Sequence, residues 1–479
     1  MARIKTEFLN QREIDLIHDQ SLQCLREIGI NVHSIPVLEL LEKNGARVDF
    51  DEKIAKIPES MVNQALESVQ KEFVLCARNP EHDLKIPTAS APWLTTSGLA
   101  IFVNDYEAGE YRDSTRDDIA TFTRLGDAVD SCDYLWTSLT ARDVTPLAHG
   151  PHELWVTMQN TTKHVQGVTA QSAEDANVQI ELAALIAGGR EQLRKRPLFS
   201  VVVCPVAPLT YEGGSIEAQV ELAKAGIPVA SMSMSVGGLS APLSVAGMME
   251  NVNTENLGSL VISQMAAPGA PHIYCSESAP MNLITAALDY SAVEKSFLCV
   301  GLSQMADSYG MPSLVADVGW GQDVQGGIED VLSPANQLVG ILGGSDLITG
   351  LGSVDAAKGI SFEQFIIDSY MCDCSKKYMH EVQISEEKIG LDAIREVGHG
   401  NDFLTHPHTI KHLRGELASW EQEKLDLLNM DAHEMPAEAH KIVKNILDTH
   451  QVEPLADDLI EKGDAIIEEY EGWLENSDS

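Results

Sequence analysis

Between residues 134 and 386 the chain repeats one pattern, a short apolar run followed by a helical stretch. The runs are YLWTSLTA, HVQGVTA, LFSVVVCPV, IPVASMSMSV, PHIYCSESA, PSLVADVGW, SDLITGLGS and a weaker HEVQISE, with helical periodicity near 151–162, 174–188, 212–225, 243–267, 289–309, 327–343 and 358–378. Short strands alternating with helices make parallel βα units, and eight such units close a TIM barrel. The competing architecture, an open doubly wound sheet, carries a Gly-rich phosphate turn after its first strand, and neither GxGxxG nor GxxxxGKS occurs at such a place. The expected fold is therefore α/β, a TIM (β/α)8 barrel over residues 131–400. Residues 1–130 read as an N-terminal α/β extension, with helices at 12–28 and 35–44, the strand-like EFVLCAR and WLTTSGLAIFVND, and a helix from Ser114. Residues 401–479 read as charged C-terminal helices that wrap the outside or make a subunit contact, so a homo-oligomer is expected.

At 479 residues and 44% hydrophobic content, the chain can bury a large core. A net charge of −39 repels a phosphate backbone, which argues against nucleic-acid partners. The charged N-terminus MARIKTEFLNQREIDLIHDQ has no apolar signal region, and no apolar run is long enough to span a bilayer, so a cytoplasmic location is expected. Eight scattered cysteines, several in apolar runs, read as reduced core thiols.

In a TIM barrel the chemistry sits at the carboxyl ends of the strands. Here these ends carry Thr169 and Gln171, Cys204 and Pro205, Met232 to Met234, Tyr274, Ser276 and Glu277, Asp317 and Trp320, and Gly350, Gly352 and Asp355. No Asp/Glu/His cluster for a divalent metal stands out, and no nucleophile–base pair. His406, His408 and His412 include an i, i+4 pair. Thr405 and Pro407 make their setting a capped helix entry, and no metal is assigned. Aromatics with one or two carboxylates suit a cation that carries no removable proton. Trp320 and Tyr274 are the expected aromatic walls, and Asp317 or Glu277 the counter-charge, with a substrate carboxylate held by neutral donors or a basic residue.

Four segments carry a resemblance: GLAIFVND with YRDSTRDDIATFTRLGDAV, SLVADVGWGQD, SDLITGLGSVDAAKGISFEQFIIDS, and IREVGHGNDFLTHPHTIKHLR. Together they resemble the trimethylamine methyltransferase superfamily, in particular members without pyrrolysine that demethylate glycine betaine and related quaternary amines. The resemblance implies a TIM barrel with no permanently bound cofactor. It also implies methyl transfer to the Co(I) corrinoid (cobalamin) of a cognate corrinoid protein. The trimethylamine enzymes carry pyrrolysine near the end of the seventh strand, a position that falls within GLGSVDAA here, nearest Asp355. Its absence points towards the betaine branch. A betaine- or corrinoid-binding protein without turnover is the alternative.

Overall fold

The computed structural model describes the whole chain except residues 1–3, 5, 90, 168–169, 285, 287, 318–328, 356, 380–382, 413–433 and 478–479. Its centre is an eight-stranded parallel sheet. In chain order the strands are β1 (Trp93–Thr96), β2 (Leu135–Trp136), β3 (Val165–Gly167), β4 (Phe199–Val203), β5 (Val229–Ser233), β6 (His272–Ser276), β7 (Ser313–Asp317) and β8 (Leu347–Leu351). Each pairs with the next, β8 pairs with β1, and a parallel bridge from Thr95 to Tyr134 links β1 to β2, which brings the sheet round to near closure as a barrel. The crossover helices are α1 (Arg116–Ala128), α2 (His149–Gln159), α3 (Ala173–Ala187), α4 (Gly213–Ala225), α5 (Val245–Ala266), α6 (Val293–Tyr309), α7 (Glu329–Leu342) and α8 (Phe362–Lys376).

Seven of the eight expected strands fall where the apolar runs lie, but the eighth does not. HEVQISE supplies no strand among its described residues, and the barrel opens instead with WLTT, from within the segment assigned to the N-terminal extension. The reason is local. Between β1 and α1 the chain inserts an antiparallel hairpin, Phe102–Asp105 with Glu110–Asp113, so the βα spacing is broken at its first unit. A domain boundary at residue 131 would remove β1 from the barrel.

Residues 10–69 form a separate layer against the barrel. The helix Gln11–Glu27 starts at an Asn10/Glu13 capping box, and Ile30–Val32, Arg47–Asp49 and Ile54–Lys56 form a small sheet joined by Thr210–Tyr211. Leu25, Ile30, Leu38 and Val62 share one core with Val252, Leu257 and Leu260 of α5, which explains why α5 is buried on nearly every side. The amino end of the barrel is closed by the hairpin Phe73–Leu75/Leu84–Ile86, whose Phe73, Leu75, Leu84 and Ile86 pack with Ile273 and Leu314 inside the strands. Met435–Thr449 packs on α8, and Asp457–Ser477 packs on α3, where Trp155 of α2 donates its indole N–H to Asp464 at 2.9 Å. No helix among the described residues is long and apolar enough to cross a membrane.

Candidate active site

Strand parity builds the site. Successive side chains of a strand point to opposite faces, and along β6 Ile273 and Cys275 belong to the barrel interior while Tyr274 belongs to the layer under α5. Two residues beyond Cys275, Glu277 continues the interior face at the carboxyl end, with its N–H donating to the Ser233 carbonyl of β5 at 3.1 Å. Asp317 ends β7, in register with Thr349 of β8. Lys295, in the first turn of α6, reaches in and pairs with Asp317 at 3.1 Å; its side chain is only 4% exposed. Its Nζ also stands 5.3 Å from the centre of the Tyr290 ring. A lysine in the first turn opposes the helix dipole, so the carboxylates rather than the helix hold this charge in place.

The electrostatics follow from burial. Removal from water, with Asp317 close by, pushes the Glu277 carboxyl up to about 7, against the pull of Lys295. Burial works against the Lys295 ammonium, yet Asp317 and Glu277 hold it charged beyond its ordinary range. Burial likewise drives the thiol of Cys299, one turn along α6, up to about 12, so it is no ready nucleophile. With both acids ionised, two negative charges face one positive charge.

Around this cluster β5 and β6 extend into a second short parallel pair, Val236–Gly237 with Ala279–Pro280. The loops that follow expose Leu239 (70%), Leu283 (77%) and Ile284 (94%) at the barrel mouth. Behind the strands, Glu255 of α5 accepts from the Ser233 hydroxyl at 2.5 Å, the Leu209 N–H at 2.9 Å and Asn251 Nδ2 at 3.1 Å. This network anchors the strand ends to the helix layer.

The structure brings together two of the expected site residues, Glu277 and Asp317. Tyr274 requires a correction: its ring is 1% exposed, its hydroxyl donates to Asn253 of α5 at 3.1 Å, and it faces the helices instead of the mouth. Among the described residues, the Tyr290 ring lies beside the Lys295 that pairs with Asp317. Gly350 lies within β8 at φ 117°, and Gly352 at φ 82° turns the chain into the hairpin Ser353–Val354/Gly359–Ile360. Asp355 sits at the tip of that hairpin, paired with Lys358 at 3.6 Å; among the described residues no hydrogen bond or ion pair joins it to Glu277 or Asp317. Trp320 and Thr169 lie outside the described residues. Sequence reasoning missed Lys295 and Tyr290. The available signal was a lysine on the apolar face of a helix, at i, i+4 and i+7 with Cys299 and Leu302.

Among the described residues no group of three or more His, Cys, Asp or Glu side chains is placed to hold a metal ion. Within the family-like segment, His406 pairs with Glu396 at 3.1 Å, and His408 meets the Glu387 carbonyl at 3.2 Å.

A near-closed parallel barrel with a half-buried carboxylate pair at its carboxyl end has the architecture of a TIM-barrel enzyme. The model of the trimethylamine methyltransferase (MTTB) family matches residues 2–470, and the chain belongs to that family. It is 30% identical over 469 residues to the trimethylamine methyltransferase MttB of Desulfitobacterium hafniense, covering 96% of this chain and 93% of that one. It is 27% identical over 441 residues to a glycine betaine methyltransferase of D. hafniense strain Y51, covering 88% and 90%. The crystal structure of the Methanosarcina barkeri monomethylamine methyltransferase (MtmB) has the same fold, with a TM-score of 0.54 at 11% identity over 92% of this chain and 89% of that one. The chain is thus an enzyme of the methyltransferase class.

Proposed function

We propose that this protein moves a methyl group from a quaternary amine to the Co(I) corrinoid of a partner protein. The amine is glycine betaine or a close analogue such as proline betaine, carnitine or γ-butyrobetaine. The observation that carries the reading is the charge count at the mouth, where Glu277 and Asp317 share one buried lysine. One negative charge is left over when both are ionised, which matches one fixed positive charge on the substrate. The absence of pyrrolysine and the likeness to a protein named glycine betaine methyltransferase support the same choice.

The chemistry asks little acid–base work of the chain. The Co(I) corrinoid supplies the nucleophilic electron pair and accepts the methyl group, while the C–N electrons leave with the nitrogen as a neutral tertiary amine. No proton moves. Glu277 and Asp317 therefore bind and orient the ammonium, Tyr290 adds an aromatic wall, and the packed barrel keeps water from the reacting carbon. The exposed Leu239, Leu283 and Ile284 offer the partner an apolar landing surface over the mouth.

A substrate panel with Co(I) cobalamin, following methyl-cobalamin and the product amine together, tests the reading. Glycine betaine or an analogue is expected to react and trimethylamine to be inert. Turnover of trimethylamine with no quaternary amine consumed overturns the assignment. Binding of betaine with no methyl transfer, to free cobalamin or a corrinoid protein, makes the chain a carrier.

A further inference from the structure

Inside the barrel, below the carboxylates, polar atoms are buried without partners. On β3, Val165 belongs to the core under the helices and a Cβ on Gly167 would approach Gln179 of α3, so both face outward. Gln166 between them faces the barrel axis. It is 0% exposed, and neither its amide oxygen nor its amide nitrogen has a hydrogen-bond partner. Its lateral neighbour on β2 is Trp136. The Trp136 ring lies in the interior core with Met232 and Cys275, and its Nε1 is also unpartnered. Tyr134, on the same face of β2 and two residues earlier, has an orphaned buried hydroxyl.

Several other polar groups in the strands are satisfied. His164, two residues before Gln166, bonds the Cys76 carbonyl at 2.8 Å and Ser200 at 3.0 Å, and Thr95 donates to the Tyr134 carbonyl at 2.8 Å. The unpartnered Ser231 and His272 lie on outward-facing positions of β5 and β6. A structural role would have paired or replaced three adjacent interior groups, because a buried polar group without a partner is costly. The Trp136 ring is also fixed in place: a Cβ on Gly98 would come within 2.2 Å of it, so glycine there lets the indole lie flat against the chain after β1.

We propose that Gln166, Trp136 and Tyr134 bind the carboxylate of the methyl donor, a proposal that rests on the zwitterionic substrate read above. The amide N–H2, indole N–H and phenol O–H are neutral donors. They suit a carboxylate that arrives with its own counter-charge into an acidic protein. Gln166 and Trp136 sit deeper than Glu277, which lies one interior step beyond Cys275 on β6. The donor then binds with its carboxylate down and its trimethylammonium up, and the methyl to be transferred faces the mouth. One end of the site selects the cation and the other measures the distance from it to the carboxylate.

The test compares glycine betaine with tetramethylammonium, a cation without a carboxylate, by calorimetric titration of the full chain. Wild type should bind betaine more tightly. In Gln166→Met, and in Trp136→Phe, which keeps a ring but loses the donor, betaine affinity should fall roughly tenfold or more while tetramethylammonium affinity holds. The melting temperature of Gln166→Met without ligand should hold or rise, since an unpaired amide is gone, which separates lost binding from lost folding. Equal losses for the two cations, or unchanged betaine affinity in both variants, overturns the proposal. If wild type demethylates betaine and both variants keep its Michaelis constant, this proposal fails and the reaction stands. If binding depends on the carboxylate but no methyl is transferred, the reaction fails and the proposal stands. If wild type binds neither cation, both fail.

Discussion

Glu255 and Glu277 flank the carboxyl ends of β5 and β6, one from the helix layer and one from the barrel interior. Burial raises the carboxyl of each above its ordinary range. Their partners differ. Glu255 is surrounded by donors, Ser233, Asn251 and the Leu209 N–H, and its oxygens are used up in tying β5 to α5. Glu277 has charged neighbours, Asp317 and Lys295, and no side-chain hydrogen bond among the described residues. An acid saturated with hydrogen bonds is a fastener. One left with unused acceptor capacity at a barrel mouth can take a ligand cation. The comparison separates two glutamates at neighbouring strand ends, one fully buried and one half-buried, by the partners that each has.

The largest effect should come from Lys295, the buried cation that faces both mouth acids. Lys295→Met leaves the half-buried Asp317 beside Glu277 without this cation, and breaking such a pair from one side costs about 3 kcal/mol. Chemical denaturation should show a lower midpoint at pH 8, with part of the loss recovered at pH 5 as Glu277 protonates. A loss that is the same at both pH values would mean that Lys295 acts through packing alone. The next effect tests the fastener. Glu255→Leu strands the Leu209 N–H and leaves Ser233 and Asn251 with only their bonds to Ser235, and should cost about 2 kcal/mol, an effect on stability that leaves the Michaelis constant for betaine little changed in the folded fraction. A raised Michaelis constant at normal stability would make Glu255 part of the site and erase the contrast.

How much of this was legible in the sequence depends on which physical rule each residue obeys. The βα rhythm was legible because the limits of seven crossover helices, α2 to α8, fall within a few residues of the helical periodicity. β1 was read as strand-like but assigned to the extension, because a hairpin separates it from the helix of its unit. Tyr274 was misplaced for a deeper reason. A parallel barrel strand is buried on both faces, so HIYCS carries no apolar–polar alternation to say which side chains point inward. Only the packing partners settle that Cys275 faces in and Tyr274 out. Glu277 and Asp317 were legible because a charge at the end of an apolar strand is conspicuous. Lys295 was not, because a lysine in a helix is ordinary until its face is known.

The smallest expected change has the opposite sign and addresses Glu277 directly. Its folded-state carboxyl lies near 7, above the 4.5 of an unfolded glutamate, so the native protein binds the proton more tightly than the unfolded chain. By linkage, ionising Glu277 costs stability, a cost absent below pH 4.5 and fully present above pH 7. Glu277→Gln removes it and should raise stability at pH 8 by on the order of 1–2 kcal/mol, with no gain at pH 4. The same variant should bind a quaternary ammonium more weakly, because the unbalanced negative charge is gone. In wild type, cation affinity should climb as pH rises through about 7, with proton release on binding below that pH, and in Glu277→Gln the climb should flatten. A residue that is stabilising to remove and damaging to lose for binding is strained for a purpose, whereas Glu255 should show the reverse on both counts. If Glu277→Gln is less stable at pH 8 and binds the cation as wild type does, Glu277 is a second fastener and the ligand charge must be met elsewhere.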